Sequence, residues 1–358
     1  MAHADLGPWR GAKLGETVAA YGGVGADDDL PDALRFARGV GKLIVKRRRL
    51  AGATMRTDAI SVFILRPEGS PGSDAVREPL LGDGGIEVAG RIWFVGATAQ
   101  SGRFIEPPST SDGDVFDHVE AIGCGNYPAV VFNPTVQPPT LRFYQKGLAA
   151  EHDVEVIEIT NMAVTVERVE AILDRMWQNS FRTPDAQIDK GSGVWADPAK
   201  YWAKSEAEKI VQSHIKTALA VALVDCVIRH EQSMGRGRVD IEIEQPTDDD
   251  PPRWIRPMEI EVKVLRERGS TGRKRTEPSV HRWIGHGIRQ AAAYRDERGA
   301  EHGMLCCIDM RANDLEEDFC PATTRQRAAD HNVVMFRRFL YNSSDALRLT
   351  EYGGDEDG

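Results

Sequence analysis

The 358-residue chain lacks several features that define large classes of protein. Its longest apolar-leaning run, residues 215–228, contains Lys216 and Asp225 and is too short to cross a bilayer. No basic segment followed by an apolar one stands near residue 1, so we expect no secretion signal. The five cysteines include no Cys-x-x-Cys pair, which excludes a zinc ribbon. The sequence also has neither an H-E-x-x-H metal motif nor a nucleophile elbow.

The chain has no excess of positive charge, because 45 Lys and Arg stand against 55 Asp and Glu, a net charge of −10. This balance excludes a protein that coats nucleic acid by bulk charge, although a local basic surface stays open. The odd number of cysteines, two of them inside an apolar run at Cys306 and Cys307, is typical of buried thiols in a reducing compartment. We therefore expect a cytoplasmic protein without a membrane segment.

Composition divides the chain at residues 180–200, which are rich in Asp, Gly, Pro and Ser. Residues 1–190 predict an α/β accessory or recognition region. Residues 195–345 predict a second α/β domain with a mixed central sheet flanked by helices, and residues 346–358 an acidic disordered tail. In the second domain we expect these elements in order: a helix over 205–229, a strand over 238–244, a polar loop over 245–257, a strand over 258–264, a helix over 280–298, and strands over 304–310 and 333–339.

The two central strands of that domain carry most of the chemistry. Alternation with period two places three acids of the first strand on one face, and the acids and lysine of the second on the matching face. Like charges opposite each other destabilise a hairpin, so a divalent cation would compensate. On the preceding helix, Glu208 continues the line of apolar residues that we expect to face the core. With Asp240 and Glu261 it would give three hard oxygen ligands, suited to Mg²⁺ or Mn²⁺. The strand residues are Asp240, Glu242 and Glu244, and Glu259, Glu261 and Lys263.

This pattern resembles the PD-(D/E)XK nuclease superfamily, which has the restriction-endonuclease-like fold. The resemblance is carried by Glu208, by Gly-Arg-Val-Asp ending at Asp240, and by Glu261-Val-Lys263. Gln290 and Tyr294 are similar to the Q-x-x-x-Y signature of the RecB-like branch. The resemblance covers roughly residues 200–310, and Val rather than Pro precedes its Asp. It implies catalytic roles for Asp240, Glu261, Lys263, Glu208, Gln290 and Tyr294, and a metal held by Glu208, Asp240 and Glu261.

The segment from residue 266 to 298 is locally basic, with nine Lys and Arg against four Asp and Glu. A polyanion such as DNA would be attracted there, and phosphate contacts would position it. We expect Arg273, Lys274, Arg275 and Arg238 to contact nucleic acid, with Trp283 and Tyr294 as stacking groups or as core aromatics.

The sequence therefore predicts a Mg²⁺-dependent deoxyribonuclease that acts on DNA, in restriction or in defence against phage and mobile elements, as a homodimer or within a larger complex. Two alternatives stay open. The fold can serve as a catalytically silent DNA-binding or scaffolding subunit, or the charged strands can be an ordinary hairpin with a solvated face.

Overall fold

A computed structural model describes residues 30–51, 60–65, 75–78, 81, 88–109, 111–136, 140–159, 163–186, 193–234, 237–247, 253–269 and 272–352. The chain divides into two compact units. The first comprises residues 1–162 and 220–225, and the second comprises residues 163–219 and 226–358. Within the described ranges, no helix is both long and apolar enough to cross a membrane.

The first unit contains a seven-stranded mixed sheet with helices α1 and α2. Its strands lie in the order β2-β4-β3-β1-β5-β6-β7, and β1 and β3 are parallel neighbours whereas the other pairs are antiparallel. The elements are α1 (Asp32–Ala51), β1 (Ser61–Leu65), β2 (Val76–Glu78), β3 (Ile92–Val95), β4 (Gly102–Ile105), α2 (Asp112–Ala121), β5 (Ala129–Phe132), β6 (Thr140–Tyr144) and β7 (Glu155–Glu158).

Both faces of the central strands of this sheet are apolar and buried. Phe63 and Trp93 face one cluster with Phe36 and Ile44 of α1, because alternate strand residues point to opposite faces. The intervening strand residues face a second cluster with α2, formed by Val62, Ile64, Ile92, Phe94, Val115 and Val119. Near-continuous apolar strands such as residues 61–65 are typical of a sheet covered on both sides.

The second unit contains a five-stranded mixed sheet in the order β10-β11-β12-β13-β14. The first three strands pair antiparallel, and the last three pair parallel. Its elements are α3 (Val166–Ser180), β8 (Trp195–Asp197), β9 (Trp202–Ala203), α4 (Ala207–Ala222), β10 (Val227–Met234), β11 (Gly237–Pro246), β12 (Trp254–Arg266), α5 (Glu277–Arg298), β13 (His302–Met310), α6 (Ala322–Asp330), β14 (Val333–Phe339) and α7 (Ser344–Tyr352).

The sequence correctly predicts the antiparallel hairpin, the following helix and the two later strands, which confirms a mixed sheet within an α/β chain. Two expectations are wrong. The helix expected over 205–229 ends at Ala222, because the β-branched Val227 and Ile228 begin strand β10, which pairs with β11. The loop expected over 245–257 is shorter, since β11 reaches Pro246 and β12 begins at Trp254.

The division between the units also differs from the expected boundary near residue 190. Helix α3 belongs to the second unit because it packs on β14, where Trp177 Nε1 donates to the Phe339 carbonyl at 2.8 Å and Arg338 bonds Asp174. The expected tail over 346–358 begins within α7, which runs to Tyr352, and residues 353–358 lie outside the described part of the chain.

Substitution of Gly147 tests whether the backbone of the first unit requires glycine at this position. The φ of this residue is +87°, and a Cβ there would lie 2.7 Å from the Asn126 carbonyl carbon as well as against the Gly125 carbonyl. We expect Gly147→Ala to lower the free energy of unfolding by at least about 2 kcal/mol, because strain and overlap with backbone add. Gly113→Ala in α2 is the matched control, since no atom lies within 4 Å of its Cβ position. Equal denaturant midpoints for the two variants would contradict this account.

Candidate active site

The charged face of the β11–β12 hairpin is buried. The six residues that alternation places on it are between 0 and 7 % exposed, so the hairpin with a solvated face is wrong. Helix α5 covers this face, as shown by Gly287, whose Cβ position lies 2.6 Å from Leu305 Cδ1 and 3.1 Å from Lys263 Cγ. Burying this many charges is costly unless each is neutralised or bonded. The buried residues are Asp240, Glu242, Glu244, Glu259, Glu261 and Lys263.

Two carboxylates lie where β12 separates from β11. The paired residues run from Pro246 and Trp254 to Ile241 and Ile260, and β12 then continues to Arg266 along β13. Beyond the pairs, the Val262 N–H donates to Asp240 Oδ2 at 2.9 Å, and the Val264 N–H donates to Glu208 Oε2 at 3.4 Å. These side-chain oxygens thus accept the hydrogen bonds that the backbone carbonyls of a neighbouring strand would otherwise accept. Burial is the main cause that raises the pKa of Asp240, against the hydrogen bond from Val262.

Glu261 and Lys263 form a buried hydrogen-bonded pair beside Asp240. Lys263 Nζ donates to Glu261 Oε1, while Glu261 Oε2 is buried with no hydrogen-bond partner among the described residues. Burial, and next the negative charge of Asp240, raise the pKa of Glu261 to about 8. Burial opposes the charge of Lys263, but Glu261, Glu208 and Asp240 outweigh it and raise the pKa of this ammonium. Lys263 is therefore a cation at neutral pH.

The carboxylates of Asp240, Glu261 and Glu208 are the kind of ligands that a hard divalent cation prefers, but the three do not meet at one point. Within the described ranges, no three His, Cys, Asp or Glu side chains are grouped closely enough to hold a metal ion. The reason is geometric, because Asp240 and Glu208 bond N–H groups two residues apart on β12, a separation of about 7 Å along a strand. Asp240 and Glu261 do fit a cation, since one buried Glu261 oxygen has no partner and carboxylates are preferred by Mg²⁺. Glu208 would have to release Val264 to join them.

One face of α5 lies over Lys263. Trp283 places its ring 4.8 Å from Lys263 Nζ, a cation–π contact, and Gly287 one turn later contacts the lysine stem. Gln290 and Tyr294 continue this face, and Gln290 Nε2 donates to Tyr294 Oη at 3.3 Å. Gln290 Oε1 is buried with no partner among the described residues. The two residues of the Q-x-x-x-Y pair are therefore hydrogen-bonded to each other, on the face of α5 that contacts Lys263.

An open pocket with a volume of about 510 Å³ adjoins these residues, within the range of about 300–1,000 Å³ typical of ligand pockets. It shares Glu208 and Val264 with the site just described. The pocket is also lined by three basic side chains and one aromatic ring, those of Lys209, Arg266, Arg275 and Trp283.

The four residues expected to contact nucleic acid have different surroundings. Arg275 lines the pocket. Lys274 is bound to Glu267 at 2.8 Å, and Arg273 and Arg238 are exposed on the loop after β12 and on β11. Sequence reasoning missed Gln212, which hydrogen-bonds Asp240. Its position one helical turn after Glu208 was the available signal.

A second acid cluster occupies the far half of the same buried face. Arg256 bonds Glu242 at 3.1 Å and Glu244 at 3.2 Å, Arg298 bonds Glu242 at 2.6 Å, and Arg229 bonds Glu244 at 2.8 Å. Both oxygens of Glu259 are buried, and the residue lies directly opposite Glu242 in the strand pair. Burial, and then the charge of Glu242, raise the pKa of Glu259 to about 9. Glu259 is therefore neutral at pH 7, and the three arginines pair with Glu242 and Glu244 instead.

Replacement of Glu259 tests this protonation. Its pKa is higher in the folded chain than its ordinary value of 4.5, so folding binds a proton and stability falls as pH rises from 4.5 to about 9. We expect Glu259→Gln to remove up to about 1.4 kcal/mol per pH unit from the pH slope of the unfolding free energy between pH 6 and 9. Glu301→Gln, an exposed replacement of the same charge, is the control. Identical slopes for both variants would show that Glu259 is ionised.

Comparison of the chain with protein-family models, with curated proteins and with solved structures finds no match. The chemistry of the site therefore follows from its own residues: two buried carboxylates, a buried lysine, a carboxylate on the adjoining helix, and a basic pocket beside them.

Proposed function

We propose that the second unit is a metal-dependent nuclease that hydrolyses DNA phosphodiester bonds, with the restriction-endonuclease-like fold. The observation that carries the proposal is the buried group of Asp240, Glu261 and Lys263, in which one Glu261 oxygen has no partner. A buried carboxyl group with only a structural role would be expected to have both oxygens hydrogen-bonded.

The order of elements supports the same assignment. An acidic residue on α4 is followed by Asp on β11, Glu-x-Lys on β12 and Gln-x-x-x-Tyr on α5. The sheet topology supports it as well, because the two strands that carry the acids are antiparallel neighbours whose ends separate at the site. This separation opens the group toward the side where Glu208 and the pocket lie.

Asp240 and Glu261 would hold Mg²⁺ or Mn²⁺, with Glu208 as the further ligand. When bound, such a cation polarises a phosphate oxygen and lowers the pKa of a coordinated water. Lys263 contributes as a donor, because the surrounding acids keep it protonated. It orients the attacking water and stabilises negative charge on the phosphate, and it does not remove a proton. Trp283 and Gly287 fix its stem, while Gln290 and Tyr294 act as positioning residues on the same face.

Cleavage of DNA by defined variants tests the proposal. We expect the purified chain to cut linear, circular or single-stranded DNA with Mg²⁺ or Mn²⁺ and to lose this activity in EDTA. Asp240→Asn and Glu261→Gln should each lower the rate by at least about 10²-fold through loss of the cation. Lys263→Gln should lower it by about 10²–10³-fold through loss of charge stabilisation. The measurement is the initial rate of product formation on gels.

Glu301→Gln is the matched control, since it removes an exposed carboxylate and should cut at the wild-type rate. Thermal melting of each variant separates loss of folding from loss of chemistry. Cutting that persists in the Asp240 and Lys263 variants would rule out this site. Metal-independent DNA binding without any cutting would instead support the catalytically silent DNA-binding or scaffolding subunit.

A further inference from the structure

Arg266 and Arg275 both line the pocket, together with the carboxylates of Glu206 and Glu208. Arg266 is the last residue of β12 and donates to the Ser205 carbonyl at 2.8 Å, and Arg275 is held by its backbone N–H, which donates to the Glu267 carbonyl at 2.8 Å. Neither guanidinium forms a salt bridge with any described residue. By contrast, buried Arg311 after β13 and partly buried Arg337 on β14 are both bound to Asp309.

Burial is the main cause that lowers the pKa of Arg266; the charge of Glu208 raises it, the charge of Arg275 lowers it and the charge of Glu206 raises it, in that order of size. An anion bound by both guanidinium groups would relieve the repulsion that Arg275 adds. Two planar guanidinium groups with unused donors match the oxygens of one phosphate group, which they can bind with paired hydrogen bonds. Lys209 adds a third positive charge on the same wall.

The pocket also contains an aromatic surface. The Trp283 ring lies parallel to the ring of His286, with 5.8 Å between centroids and 6° between planes. Trp283 is half-buried and lines the pocket, so part of its surface is open to a ligand. Nucleobases of any sequence stack on such rings, whereas a base inside a paired duplex is not available for this contact.

We propose that this pocket binds one nucleotide whose base is unpaired, with its phosphate between Arg266 and Arg275 and its base against Trp283. The inference rests on the proposed function, and it assigns the substrate class as single-stranded DNA or a frayed end of DNA. The phosphate can be a terminal monoester or an internal diester, which offer the same oxygens to the two arginines. Because Glu208 belongs to both the pocket and the candidate cation site, the bound nucleotide lies next to the bond to be cut.

Fluorescence anisotropy in EDTA tests the pocket without any cleavage. The probes are a labelled single-stranded oligonucleotide with a 5′-phosphate, the same strand with a 5′-hydroxyl, and a blunt duplex of that sequence. We expect tighter binding of the single strands than of the duplex. Trp283→Leu should weaken single-strand binding by about tenfold or more and leave duplex binding unchanged. Arg275→Gln should lower the slope of log affinity against log salt by about one.

Arg175→Gln on α3 is the matched control, because it removes one exposed arginine outside the pocket. If the chain prefers the strand with the 5′-phosphate and Arg275→Gln abolishes this preference, the pocket binds a terminal phosphate. If Arg275→Gln weakens the binding of both single strands equally, the pocket binds an internal phosphate. Equal binding of duplex and single strand, with both pocket variants indistinguishable from the control, would overturn the proposal. Because no divalent cation is present, these outcomes do not depend on whether the chain cuts DNA.

Discussion

Strand β12 continues past the residues that pair with β11, and its free N–H groups must find other acceptors. A buried N–H without a partner is rare in proteins, so this requirement is strict. Asp240 meets it at Val262 and Glu208 meets it at Val264. The same two contacts bring acids from a strand and from a helix to one edge of the sheet. Without them the edge would need a further strand, and no opening would remain beside Glu261 and Lys263.

Charge compensation divides the buried face into two halves with different chemistry. Three arginines bind Glu242 and Glu244 in one half, where burial keeps Glu259 neutral. In the other half a single lysine faces Asp240, Glu261 and Glu208, which leaves negative charge to be balanced. Arg266 and Arg275 line the adjoining pocket and form no salt bridge with the described residues, although Glu206 and Glu208 line it as well. The proposed cation and the proposed phosphate would thus occupy adjacent regions of one surface.

The alternation of residues 238–244 and 258–264 was enough to predict the strands, their antiparallel pairing and the shared face of their charges. It could not predict that this face is buried, because a solvated hairpin has the same period. The covering helix α5 shows why: Gly287 permits a close approach to Lys263 that no local pattern encodes. Strand β10 was missed because the apolar spacing of α4 continues through Val221 and Val224 into it. Glu208 was placed on the correct helix, but its hydrogen bond to the β12 backbone depends on tertiary contacts.

The sheet of the second unit also has a consequence for the order in which the site forms. The β11–β12 hairpin joins residues near in sequence, so loop closure costs it little entropy. The parallel β12–β13 pair has to wait for a crossover that includes all of α5. We expect contacts of higher sequence separation to form later, because closing the longer loop costs more entropy before the contact is made. On this order, the acids of the hairpin come together while still hydrated, and the docking of α5 then excludes water from them. Burial of the charged face is in this sense expected late in folding.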